Sequence, residues 1–241
     1  MLPNIGLDQL LLLDIETTPG EAALELLPAH LQVLWREKNT KIAPESESED
    51  ASYADRAGIF AEFGRIVCIS VGFFHLENNR YQLRLKSFAS EDEVSLLNNF
   101  FELVQKFQER MPSFQYAGHN IREFDIPFIC RRSVIHQLSL PKSLQLHGLK
   151  PWEVPVVDTL HLWRFGDFKH YTSLKLLTAI MGIDSSKDDI DGSMVGKVFW
   201  ETKDLERIAT YCQKDVLAVA QLLLRFKRLP LLLPEDIVVI K

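Results

Sequence analysis

Apolar positions change period along this chain, and the changes mark its elements. Residues 10–15 form an almost unbroken apolar run closed by Thr17, Thr18, Pro19 and Gly20, which predicts a buried strand leaving its sheet. Residues 21–36 read as helical. Residues 39–57 then turn polar around Glu45-Ser46-Glu47-Ser48-Glu49-Asp50 and predict a loop or lid. Two β-rich runs, 65–74 and 80–88, flank Glu77-Asn78-Asn79 and predict a hairpin. Ser90 and Glu93 have capping-box spacing ahead of Val94, Leu97, Phe101 and Val104, the clearest amphipathic helix. Residues 114–117 predict a short strand, and 126–138 a helix with Pro127 in its first turn. Residues 154–157 read as another strand, ending at Asp158, an N-cap for the segment through Phe165. A helix over 172–181 closes at Gly182. Leu205, Ile208, Ala209, Cys212, Val216, Val219, Ala220 and Leu223 repeat at helical spacing within a long helix over 203–228. The apolar tail 229–241 can pack on the domain or on a neighbour. Strands come first, helices dominate later, and nothing repeats. The class is therefore α/β, a mixed central β-sheet flanked by α-helices, in one domain over 1–241.

Composition bounds this picture without deciding it. A hydrophobic fraction of 46% and a charged fraction of 25% are those of a soluble globular protein, and 241 residues suffice for one sizeable core. The formal charge of −6 argues against a basic coat for nucleic acid, although an acidic site that carries cations tolerates it. Phosphates would then meet local basic residues, with Arg122, Arg131, Arg132, Arg164, Lys169 and Lys175 as candidates. Cys68, Cys130 and Cys212 lie far apart without a C-x-x-C and read as reduced core thiols. Residues 1–13 lack the basic n-region of a signal peptide, and no apolar run reaches the length of a membrane span, so a cytoplasmic protein is expected.

Chemistry enters through four separated carboxylates, Asp14, Glu16, Asp125 and Asp215. Asp14 and Glu16 are two apart on the first strand and share a face, where they repel unless a cation or proton lies between them. Alone, such a pair is also a common surface or capping feature. The second group is Gly118-His119-Asn120-Ile121-Arg122-Glu123-Phe124-Asp125. Here Gly118 permits close backbone approach, Asn120 offers donor and acceptor, and Phe124 can anchor Asp125 where a helix begins. A plain helix cap is the alternative. In the third, Tyr211-Cys212-Gln213-Lys214-Asp215, the phenol and carboxylate share one helix face.

A strand-borne D-x-E, then N-x-x-x-F-D, then Y-x-x-x-D, in that order, resembles the three exonuclease motifs of the tyrosine branch of the DEDD superfamily. The likeness is to stand-alone 3′-to-5′ exonucleases related to the proofreading domain of family B DNA polymerases. It extends to Glu62-Phe63-Gly64-Arg65-Ile66-Val67-Cys68, to the run from Phe165 to Leu174 and to Asp191-Gly192-Ser193. The resemblance implies a ribonuclease H-like fold and hydrolysis of a nucleic-acid strand from its 3′ end with two divalent ions, Mg²⁺ or Mn²⁺. It implies Asp14, Glu16 and Asp215 as ligands of one ion, and Asp14 and Asp125 as contacts of the other. Tyr211 would orient the attacking water, while Thr17, Asn120 and Phe124 would lie beside the terminal nucleotide. The implied partner is single-stranded or frayed DNA. RNA, or binding without turnover, would leave the same motifs.

Other residues admit two readings each. Asp158 and Asp167 suit caps or turns better than a site. His119 and His170 can touch phosphate or stay on the surface. Phe165, Phe168 and Tyr171, interleaved with Arg164 and Lys169, can stack bases or pack in a core.

Overall fold

The computed structural model describes residues 6–42, 47–150, 153–183 and 189–240. One six-stranded sheet runs in the order β5-β4-β1-β2-β3-β6. Its strands are β1 (Leu10–Pro19), β2 (Gly64–Glu77), β3 (Arg80–Ala89), β4 (Gln115–Gly118), β5 (Val156–Asp158) and β6 (Ile237–Val239). β2 is antiparallel to β1 and to β3, whereas β1–β4, β4–β5 and β3–β6 pair in parallel. The β2–β3 hairpin closes through Asn78 (φ 49°) and Asn79 (φ 61°), the left-handed pair that a tight two-residue turn demands.

The central strand is buried on both faces, which is why its sequence reads as continuous rather than alternating. Leu11, Leu13 and Ile15 pack with Leu97, Phe100 and Val104 of α3 (Glu93–Arg110) and with Ile126 and Ile129 of α4 (Asp125–Ile135). Leu10 and Leu12 pack on the opposite face with Val216, Val219, Ala220 and Leu223 of α8 (Leu205–Lys227). α5 (Thr159–Arg164), α6 (Leu174–Ile180) and the short α7 (Val195–Lys197), which runs into a π turn at Val198–Thr202, complete the α8 side. Among the described residues no helix is long and apolar enough to cross a membrane.

Three details differ from the sequence pattern, and the tail takes one of its two expected places. The first helix is shifted: a 3₁₀ turn at Leu24–Leu26 precedes α1 (Ala29–Ile42). The stretch expected as a loop or lid continues α1 and then forms α2 (Glu49–Arg56), capped by Ser48; Glu45 and Ser46 lie outside the described residues. Trp35 is the reason. It is fully buried, 5.3 Å edge-on from Tyr53 and 5.2 Å from Phe63, and two aromatic contacts outweigh the polarity of the intervening residues. Third, Asp92 rather than Ser90 caps α3, accepting from the N–H groups of Val94 and Ser95. Glu93 therefore does not reach back to a cap. It is buried instead, bonded twice to Arg132 (2.9 and 2.6 Å), to His136 (2.7 Å) and to the Ile66 N–H (2.8 Å). Burial alone would push the Glu93 carboxyl up, but the Arg132 guanidinium, the Ile66 N–H and His136 together offset it and hold the group below its ordinary value. Finally, the tail packs on its own sheet as β6, fastened where Arg80 forks onto Asp236 at 2.7 Å.

Candidate active site

Asp14 and Glu16 continue the face of β1 that Leu10 and Leu12 present to α8, so the strand's period of two replaces core residues by acids as it leaves the sheet. Opposite them on β2 stand Ser70 and Cys68, and the register shifts between Glu16 and Thr17. A bulge at that point twists the strand end and re-aims its side chains. From α8, Tyr211 and Asp215 sit one turn apart and share a hydrogen bond. Between them Cys212 donates its thiol proton to Asp14 Oδ2 at 3.2 Å. Ligand atoms of Asp14, Glu16 and Cys212 all lie within 4.8 Å of one another.

Asp125 arrives from the neighbouring strand. β4 ends at Gly118, where an added Cβ would stand 2.8 Å from the Leu13 carbonyl and 2.8 Å from Ile121 Cβ. Only glycine admits that approach, and Gly118→Ala is expected to cost about 1–3 kcal/mol in chemical denaturation through overpacking. The chain then turns at Asn120 (φ 61°) into α4. Asp158 holds this turn: its buried carboxylate accepts from the N–H groups of Asn120 (3.0 Å) and Arg122 (3.1 Å) as well as capping α5 at Leu160 (2.9 Å). Asp125 is itself buried, and its Oδ1 accepts from the Ile15 N–H at 3.1 Å, tying it between Asp14 and Glu16.

This is a cluster of mutually repelling acids. Burial first, then Asp215 and Asp125, push the Asp14 carboxyl well up, and Glu16 rises through burial, Asp14 and Asp215. Asp125 is pushed up to about 7, by burial most of all, then by Asp158 and Asp215. No lysine or arginine is among the main influences on Asp14 or Glu16. The donor set fits a hard divalent cation, which would relieve the repulsion among these groups. Cys212 does not argue for a softer metal. Its thiol is pushed up by burial, Cys68 and the nearby acids, so it stays protonated and serves as a donor to Asp14. The Tyr211 phenol is raised too, by burial and then by Asp215, Glu16 and Asp14, and remains neutral.

The structure thus brings Asp14, Glu16, Asp125, Asp215 and Tyr211 together. Thr17 follows Glu16 at the bulge, half-buried, and Phe124 precedes Asp125 as the N-cap residue of α4, its ring 5.5 Å from Phe128. Asn120 Oδ1 is buried without a hydrogen-bond partner among the described residues, an acceptor available to a ligand. Of the basic residues expected to meet phosphate, three are occupied. Arg122 donates to the carbonyls of Val154 and Val156, Arg132 holds Glu93, and Arg164 pairs with Glu123 at 3.0 Å. Arg131, Lys169 and Lys175 are exposed. Two contributors escaped the sequence pattern. Cys212 reads as a core residue by helical spacing, and its only signal is its place between Tyr211 and Asp215. Asp158 reads as a cap, which it is, but nothing local shows that it also fixes the Asn120 turn.

A mixed sheet with one antiparallel strand between β1 and β3, and acids gathered where β1 meets α8, defines an α/β protein of the ribonuclease H-like class. The chain belongs to the family described as "predicted 3′-5′ exonuclease related to the exonuclease domain of PolB", which it matches over residues 59–236. That match contains Asp125, Tyr211 and Asp215; β1, with Asp14 and Glu16, lies before it. No curated protein sequence matches the chain. Among solved structures, the family B DNA polymerase from the hyperthermophilic archaeon Pyrobaculum calidifontis is similar in fold, with a TM-score of 0.50 at 15% identity. The similarity covers 89% of this chain and 24% of that polymerase.

Proposed function

We propose that the chain is a single metal-dependent 3′-to-5′ exonuclease domain that releases nucleoside 5′-monophosphates from single-stranded or frayed DNA. The observation that carries this reading is the convergence of Asp14, Glu16, Asp125 and Asp215 with Tyr211. Asp14, Glu16 and Asp215 would hold one Mg²⁺ or Mn²⁺, and Asp14 with Asp125 a second. Such ions supply an activated water and charge stabilisation for phosphodiester hydrolysis. Free thiols at Cys68, Cys130 and Cys212 suit a reducing, cytoplasmic setting.

The chain's own residues do the positioning. Cys212 fixes one oxygen of Asp14, the Ile15 N–H fixes one of Asp125, and both are thereby turned into the cluster. Tyr211 is neutral and tethered to Asp215, so it orients the attacking water by hydrogen bonding and does not act as a base. Asn120 offers its buried acceptor to the terminal nucleotide, and Thr17 and Phe124 are the other proposed contacts of that nucleotide.

The test is direct. A 5′-labelled oligonucleotide should ladder from its 3′ end in Mg²⁺ or Mn²⁺ and stay intact in chelator, and an RNA of the same sequence in parallel decides sugar preference. Absence of laddering on both refutes the reading. Tyr211→Phe is expected to slow turnover about 10- to 100-fold, the range for losing a group that orients a reactant. Stabilisation of the folded protein by Mn²⁺ should persist in that variant, because the carboxylates remain.

A further inference from the structure

Between α5 and α6 the chain displays three large aromatic rings to solvent: Phe165 is 76% exposed, Phe168 67% and Tyr171 63%. The core-packing alternative for these residues is thereby removed. Exposed aromatics this close in sequence are costly to leave bare, and they mark a surface that something covers. The loop that carries them is built rather than slack. Phe165 holds a left-handed φ of 48°, rare for a side chain of its bulk, and Gly166 follows at 89°. Asp167 accepts from the Lys169 N–H at 3.0 Å and meets the His170 ring nitrogen at 3.0 Å. Arg164 lies 5.9 Å from the Phe168 ring and donates to the His170 carbonyl.

The loop is also joined to the acidic centre. His119, next to Asn120, bonds through its two ring nitrogens to Thr159 Oγ1 and to the Thr172 carbonyl, both at 2.9 Å. Its ring lies edge-on to Tyr171 at 6.5 Å. Partial burial, followed by the charges of Asp125 and Asp158, raises the Tyr171 phenol, so this ring stands within the field of the site. Tyr171 thus ties the aromatic loop to the acidic centre, and exposed Lys169 lies in the same loop.

We infer that Phe165, Phe168 and Tyr171 form a stacking platform for the unpaired bases just upstream of the 3′ terminus, and so set a preference for single strands. The inference rests on the exonuclease reading for the direction in which the strand runs. Flat apolar faces beside a cation match the two faces of a nucleic-acid single strand, stackable bases and phosphates. In a duplex the bases stack on one another and pair, and cannot occupy such a platform without being splayed apart. Continuity with the acidic centre selects this occupant over a docking protein.

The experiment measures binding in chelator, where no cleavage occurs. A fluorescent single strand and a blunt duplex of the same sequence are titrated against the parent and against Phe165→Ala/Phe168→Ala/Tyr171→Ala. The parent should prefer the single strand. The triple variant should lose about tenfold in single-strand affinity for each ring that stacks, with little change toward duplex. Phe168→Trp should keep the affinity, and its added indole emission should be quenched by single strand and not by duplex. A parent without preference, a triple variant that binds single strand as the parent does, or a silent indole overturns the platform; unaltered strand binding is also what a protein-docking patch would give. A parent that shows the preference and the quench, yet releases no nucleotide in Mn²⁺, leaves the platform standing and sinks the exonuclease reading.

Discussion

Asp14→Ala should abolish hydrolysis while the protein stays folded. Asp14 sits at the centre of the acidic cluster: its carboxyl is shifted by Asp215 and Asp125, and in turn shifts Glu16 and Tyr211. Removing it takes away the group proposed to touch both ions, so the loss is several kcal/mol of transition-state stabilisation, at least about a thousandfold in rate. Stability should move the other way. In the absence of metal the cluster is self-repelling, and deleting one half-buried acid relieves its neighbours. The variant should therefore melt at or above the parent's temperature in chelator, and Mn²⁺ should raise that temperature less than it does in the parent. Laddering of an end-labelled strand reads the first effect and calorimetry the second. Full residual activity would remove Asp14 from the site.

Glu93→Gln carries the largest expected cost in stability. The Glu93 side chain is 3% exposed and that of Arg132 11%, so the substitution leaves a guanidinium with only a neutral partner inside the protein. Breaking such a buried pair costs about 3–5 kcal/mol. Replacing both partners, as in Glu93→Gln/Arg132→Met, should recover much of it, because the uncompensated charge is then gone. The sign of the pH dependence follows from the depressed carboxyl. Its contribution is fully present above the ordinary glutamate value of 4.5 and is lost as pH falls through the lower value it has in the fold. Acid unfolding of the parent should therefore include a component below that pH which Glu93→Gln lacks. Urea titrations across the acid range measure it, and coincident slopes for both proteins would contradict the assignment. A cost at the site should accompany the loss. Glu93 occupies the Ile66 N–H, and Ile66 stands opposite Thr17 just past the bulge that aims Glu16.

Local chemistry was legible where one segment decides the outcome. Asn78-Asn79 demands a tight turn whatever surrounds it, Gly118 announces a close approach, and the period of α8 is set by its own apolar face. What misled the pattern was always a distant partner. Residues 39–57 look like a polar loop until Trp35 supplies the aromatic pocket that Tyr53 fills. Ser90 has the spacing of a cap, but Asp92 is the nearer acceptor and Arg132, 39 residues beyond Glu93, draws that carboxylate away. The tail 229–241 gives no hint that Asp236 will meet Arg80 across 156 residues. The five proposed catalytic residues stood out through the order of their three motifs, since each group alone has an ordinary structural reading. Cys212 and Asp158 were not, because a thiol inside a helix and an acid before one look the same whether or not they touch a site.

The contact between Cys212 and Asp14 spans 198 residues of sequence. Long-range contacts of this kind form late, after the loops they close have been paid for in chain entropy. β1 is synthesised before α8, so a growing chain carries Asp14 and Glu16 without Tyr211 or Asp215 beside them until α8 has been made. The acidic centre is therefore complete only once the whole span from β1 to α8 has been made and folded.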